Sequence, residues 1–257
     1  MSDIILCVTE GEKTEVNIIN RLQSVFSNKK IEIICFGTSI YQLYPKVKDE
    51  DPHFLDTFPL LQEISKMNKG NKDDVLSKYS RNDISEIYLF FDLDKHDNLA
   101  STYPNCFDEM LEIFDNETEN GKLYVSYPMV ESFKHIITER ETYDISQGST
   151  YKNHVSKNCH QKLEKFYNRP LNRLEWSVYF LEHIKATNFL IRDSFSYPEK
   201  YSDVIDAFSQ TSIYKNQCKK FINVNNHVLI LSPFASFLLE YLGEPLFNEW
   251  LELTQNS

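Results

Sequence analysis

Two aspartates close an apolar run in the stretch Glu86-Ile-Tyr-Leu-Phe-Phe-Asp92-Leu-Asp94-Lys95-His96-Asp97. Ile87 to Phe91 is apolar or aromatic throughout, the pattern of a strand buried on both faces. A chain that crosses a core in this way delivers Asp92 and Asp94 together at the carboxyl end of the strand. In an open α/β sheet that end is where ligands bind. Two carboxylates so close repel unless a positive charge sits between them. Oxygen donors at this spacing suit Mg²⁺ or Mn²⁺. Such a cation can polarise a phosphoryl oxygen and provide a nucleophile from water at neutral pH.

The same arrangement recurs on two other candidate strands. Ile4 to Val8 is apolar and leads into Thr9-Glu10-Gly11-Glu12-Lys13-Thr14-Glu15. Thr14 reads as a helix N-cap, and Glu12 and Glu15 complement the helix dipole. Glu10 sits in the strand-to-helix turn and has no such role. Leu123 to Tyr127 leads through Pro128 to Glu131, again an acid in the first turn of the next segment. Glu10, Asp92, Asp94 and Glu131 are therefore expected to meet at one edge of a parallel sheet. Lys13 and Lys95 flank these acids and are candidate phosphate contacts, and His96 is a candidate proton carrier.

The elements that would position these residues alternate in type. Strands are expected at 4–8, 31–36, 87–91 and 123–127. Helices are expected from Thr14 to Phe26 and at 54–67, 73–79, 106–114 and 129–137. Alternation of this kind implies an α/β domain, a parallel sheet of about four strands with helices on both faces. Near residue 140 the pattern changes, giving an expected division into 1–140 and 141–257. Residues 141–149 have turn and polar character. Beyond them the chain reads as mainly helical, at about 154–168, 173–190, 200–208 and 212–221. A last strand at Val228–Leu231 and a helix at Phe234–Leu242, stopped by Gly243 and Pro245, complete this part.

With 257 residues, 41% hydrophobic and 25% charged, the chain is long enough and apolar enough to bury a core. The five cysteines are widely spaced with no CxxC, which points to a reducing cytosol and argues against a structural zinc site. The first residues lack a signal-peptide pattern, and no apolar stretch approaches the ~20 residues of a membrane span. The expected location is cytoplasmic, without a membrane partner. A net charge of −11 is unusual for a protein that binds nucleic acid unaided. Lys152, Lys157, Lys162, Lys165, Arg169 and Arg173 form one local basic region. His154 and His160 do not have the spacing of a helical ligand pair. No phosphate-binding P-loop, dinucleotide fingerprint, nucleophile elbow or HExxH is present.

The element Thr9-Glu10-Gly11-Glu12-Lys13-Thr14-Glu15, followed later by Asp92-x-Asp94 at a strand end, resembles the Toprim domain. That domain is shared by topoisomerases, bacterial primases and OLD-type nucleases. The lead motif is most similar to small Toprim proteins of the RloB type and to Toprim effectors that work beside an ATPase in phage defence. Tyr127-Pro-Met-Val-Glu131-Ser-Phe resembles the third acidic element of the small Toprim proteins. The resemblance covers about residues 1–137. It implies that Glu10 holds metal or orients the attacking water, that Asp92 and Asp94 are metal ligands, and that Glu131 completes the cluster. The implied activity is Mg²⁺-dependent cleavage of phosphodiester bonds in DNA or RNA, a tRNA included, in antiphage defence. The implied partners are the nucleic-acid substrate, an ATPase protein and, since such relatives often assemble, a second copy of the chain. Two other readings exist: a catalytically silent Toprim-like subunit of an ATPase complex, and a haloacid-dehalogenase-type phosphatase. The latter family places its nucleophile near the start of its domain, unlike Asp92.

Overall fold

In the computed structural model, residues 4–27, 29–37, 39–52, 55–67, 75–93, 95, 97–135, 141–159 and 169–255 are described. Contacts divide the chain into two compact units, Met1–Tyr124 and Val125–Ser257.

The first unit begins with β1 (Ile4–Thr9), α1 (Thr14–Phe26) and β2 (Lys30–Cys35). Ile5, Leu6, Cys7 and Val8 are all fully buried, as four consecutive apolar residues in a central strand must be. Burial pushes the Cys7 thiol far above its ordinary range, the inert free cysteine that its apolar run implies. Next come α2 (Ile40–Leu43), α3 (Thr57–Met67), β3 (Ile84–Asp92), α4 (Cys106–Ile113), β4 (Asp115–Asn116) and β5 (Gly121–Ser126). The sheet order is β2-β1-β3-β5-β4. β1 pairs in parallel with both β2 and β3, while β4 pairs antiparallel with β5. The fold is thus α/β with a mostly parallel sheet. Its fifth member is a two-residue edge strand too short to show a hydrophobic period.

The strand order matters more than the strand count. From β1 the chain passes to β2 on one side and then returns to β3 on the other. The crevice between the carboxyl ends of β1 and β3 is therefore a topological switch point, where connections diverge and leave room for a ligand.

Several local expectations change. Lys13, not Thr14, occupies the α1 N-cap position, and its side chain makes no capping hydrogen bond among the described residues. Glu15 turns inward with Ile18, Ile19, Leu22 and Phe26, whereas Val16 is only half-buried. Helix α3 starts at Thr57, so Pro59 falls in the first turn, where its missing N–H costs nothing. Of the expected helix at 73–79, a 3₁₀ turn spans Val75–Lys78, and residues 73 and 74 lie outside the described residues.

In the second unit, the expected helix at 129–137 is a 3₁₀ segment, Val130–Lys134, and residues 136 and 137 lie outside the described residues. Backbone pairing explains the short length. Tyr127 exchanges two N–H···O bonds with Leu231, each of 3.0 Å, and His135 forms an isolated bridge with Cys159. Ser132 Oγ also donates to the Leu231 carbonyl, at 3.0 Å. Both ends of the segment are thus tied to partners that a continuing helix could not reach. Part of the expected polar turn is β6 (Thr142–Asp144), paired antiparallel with β7 (His227–Leu229). Helix α5 (Tyr151–Asn158) is followed by Arg173–Arg192, Tyr201–Ala207, Gln210–Gln217, Pro233–Leu242 and Glu244–Gln255. The last of these is an unexpected helix. Gly243, at φ 69°, ends the preceding one, and Pro245 sits in the first turn of the new one, where proline is tolerated. Among the described residues no helix is long and apolar enough to cross a membrane.

Candidate metal centre

Glu10 is held by both neighbours of β1. Its backbone N–H donates to the Phe90 carbonyl at 3.1 Å, and its own carbonyl accepts the Gly37 N–H at 3.0 Å. The Cys35 thiol approaches the same carbonyl at 3.5 Å. These bonds extend the two parallel ladders one residue past the strand end and aim the Glu10 side chain along the switch-point crevice. There Glu10 Oε2 accepts the Asp92 backbone N–H at 3.0 Å. Two residues far apart in sequence thus meet at adjacent strand ends.

The turn that carries Glu10 has its own internal brace. Thr9 Oγ1 donates to the Gly11 carbonyl at 2.9 Å, and the Gly11 N–H donates to Glu15 Oε1 at 3.1 Å. A side chain on Gly11 would collide with this carboxylate, because a Cβ there would stand 2.7 Å from Glu15 Oε2. Glu15 therefore has a role that its place in a first helical turn conceals. It is buried, and it fixes the backbone next to Glu10. A sequence-level hint exists in the Gly-x-x-x-Glu spacing, which puts the carboxylate one turn along the helix from the glycine.

Beyond Asp92, Asp94 and His96 lie outside the described residues. Asp97, a little further on, is structural: its carboxylate accepts the Ser39 hydroxyl and the Leu99 N–H. This links the loop after β3 to the segment after β2. Lys13 is exposed and Lys95 is half-buried.

Glu131 lies in the second unit, in the Val130–Lys134 segment. Its Oε1 is 3.6 Å from the Lys152 ammonium on α5, while Oε2 is buried with no hydrogen-bond partner among the described residues. The basic region is partly neutralised: besides Lys152, Arg169 pairs with Glu175 at 2.6 Å and Arg173 with Glu249 at 2.8 Å. Lys162 and Lys165 lie outside the described residues.

The second unit also gathers donors that their sequence spacing does not betray. His135, Glu141 and His154 each present a ligand atom within 4.8 Å of the others, the one such trio among the described residues. His160 lies outside the described residues.

No protein-family model matches the chain, and neither a curated protein nor a solved structure matches it significantly.

Proposed function

We propose that the protein is a Mg²⁺- or Mn²⁺-dependent nuclease of Toprim-like design, with Glu10, Asp92 and Asp94 as its metal-holding acids. The observation that carries this reading is the Glu10 carboxylate bonded to the Asp92 N–H, at the carboxyl ends of adjacent parallel strands and at a switch point. Both side chains offer oxygen only, which fits a hard divalent cation and not a thiophilic one. When bound, the cation would supply Lewis-acid stabilisation of the scissile phosphate and a nucleophile at neutral pH.

The chain's own residues do the rest. The Asp92 N–H fixes one oxygen of Glu10 and so orients the carboxylate. Lys13 and Lys95 offer charge to the phosphates that flank the cleaved bond. Without a cation, the acids repel a polyanionic substrate, and a chain of net charge −11 does nothing to offset this. Substrate binding is then coupled to metal binding. The reading extends to an antiphage effector partnered by an ATPase, which would deliver an acidic protein to its nucleic acid.

The test is incubation of purified protein with plasmid, genomic DNA and total RNA, in Mg²⁺, Mn²⁺ or EDTA. Asp92→Asn leaves the backbone N–H in place, and Glu10→Gln retains an acceptor oxygen. Loss of cleavage in both would therefore report the missing charges and not a broken fold. Glu131→Gln, run beside them, separates a further ligand from a residue that serves the second unit alone. Undiminished cleavage by Asp92→Asn sinks the proposal. Phosphate release from small phosphomonoesters without phosphodiester cleavage moves the activity to a phosphatase.

A further inference from the structure

We propose that His135, Glu141 and His154 form a Zn²⁺ site in the second unit, with three protein ligands and an open position for water. Its nitrogen donors differ in chemistry from the oxygen donors of the first unit's carboxylates.

Three elements converge there, each fixed by backbone bonds. His135 ends the Val130–Lys134 segment, where its N–H donates to the Ser132 carbonyl at 3.0 Å and its backbone bridges to Cys159. Glu141 precedes β6, and its carbonyl accepts the Ile230 N–H at 3.0 Å. His154 lies on α5, one turn after Tyr151. The imidazoles of His135 and His154 face each other at 5.4 Å and 17°, the Tyr151 ring lies 6.1 Å from each, and the Tyr143 ring lies 5.3 Å from His154.

The His135 side chain is only 1% exposed, yet its Nε2 has no hydrogen-bond partner among the described residues. A buried polar nitrogen left bare in this way costs about 1–3 kcal/mol unless something else satisfies it. Glu141 Oε1 stands 3.6 Å away, beyond hydrogen-bond reach. Donors bound at ~2.0–2.1 Å around a tetrahedral Zn²⁺ lie ~3.3 Å from one another. The observed 3.6 Å is close to that spacing. The trio's atoms lie within 4.8 Å of one another, and rotation of Glu141 and His154, both half-buried, would bring them to that spacing.

The other His135 nitrogen, Nδ1, lies 3.4 Å from the Tyr151 hydroxyl, the outer partner that orients a ligating imidazole. Burial, the largest influence, and the neighbouring His154 hold the His135 ring neutral, against the pull of Glu141. A neutral ring is the form that binds metal. Two imidazoles exclude Mg²⁺ as the natural occupant, and among first-row ions Zn²⁺ binds nitrogen donors more tightly than Mn²⁺ or Fe²⁺. The cysteine pattern that argues against a zinc site remains valid for thiolates. These donors are of another kind, brought together only by the fold.

Zn²⁺ competition against a chromophoric chelator, with the full chain, tests this. Wild type should bind one Zn²⁺ per chain and gain thermal stability on binding. Glu141→Gln and His154→Gln, both at half-buried positions, should lose at least ~30-fold in affinity, with unchanged circular dichroism in EDTA. Co²⁺ in wild type should show the intense visible absorption of a low-symmetry nitrogen-liganded site, and these variants should not. Asp92→Asn should bind Zn²⁺ as wild type does, which keeps the site distinct from the nuclease centre. Absent Zn²⁺ binding, equal binding by the two ligand variants, or loss of binding in Asp92→Asn overturns the proposal.

Discussion

Gly11→Ala places a methyl group where the Glu15 carboxylate rests. The new Cβ would stand 2.7 Å from Oε2 and 3.1 Å from Oε1, so one of the two groups must move. The backbone on both sides is tied, through Thr9 Oγ1 to the Gly11 carbonyl at 2.9 Å and through Glu10 N–H to the Phe90 carbonyl at 3.1 Å. The carboxylate is the freer group and swings away, giving up the hydrogen bond it accepts from the Gly11 N–H. A bond to an ionised acceptor is worth about 1.5–3 kcal/mol, so Gly11→Ala should lower the unfolding free energy by roughly 2 kcal/mol. Glu15→Ala should cost at least as much. In the double variant the methyl enters space that the carboxylate has left, so the second substitution adds little. Urea unfolding of the four proteins, with fluorescence as the readout, gives the coupling directly. A coupling of about 1–2 kcal/mol is expected, and additivity within ~0.5 kcal/mol would refute the brace.

His183 makes the second unit acid-sensitive. It is fully enclosed, accepts the Ser232 N–H at 3.1 Å, and is pushed down to about 3 by burial first and by His135 second. Its folded pKa lies below the unfolded value of 6.5, so the stability it contributes is complete above that value and is lost as pH falls from there toward 3. The loss between pH 7 and pH 5 is about 2 kcal/mol from this group alone. Unfolding in EDTA should show the pH dependence of His183→Gln reduced by that amount, and an unchanged dependence contradicts the assignment. Gly121→Ala should cost at least ~2 kcal/mol in thermal or urea unfolding. At φ 115°, a Cβ there would meet Leu89 Cδ1 at 2.8 Å, and a neutral substitution would mean that Gly121 does not lie so close to the β3 side chains.

How legible these features were in the sequence depended on whether local pattern fixed them. The apolar runs before Glu10 and Asp92 gave the strands and their terminal acids, because a strand buried on both faces has little freedom in composition. The placement of those acids beside each other needed the β2-β1-β3 order, which no local signal encodes. Glu15 was hidden because an acid in a first helical turn has a sufficient ordinary explanation. Segment 129–137 has a helical composition, yet long-range pairing of Tyr127 with Leu231 and of His135 with Cys159 overrides it. The same pairing, together with β6, assembles His135, Glu141 and His154. Histidine spacing along the chain could not have found that trio, since its members come from three separate segments of the chain.

The proposed activity depends on the switch-point carboxylates holding a hard divalent cation. Titration of Mn²⁺ followed by electron paramagnetic resonance measures this directly, with Glu141→Gln as the parent so that the imidazole trio does not contribute. The parent should bind Mn²⁺, Mg²⁺ should compete for it, and adding Asp92→Asn or Glu10→Gln should weaken binding at least tenfold. Equal Mn²⁺ affinity in all three proteins would contradict the claim.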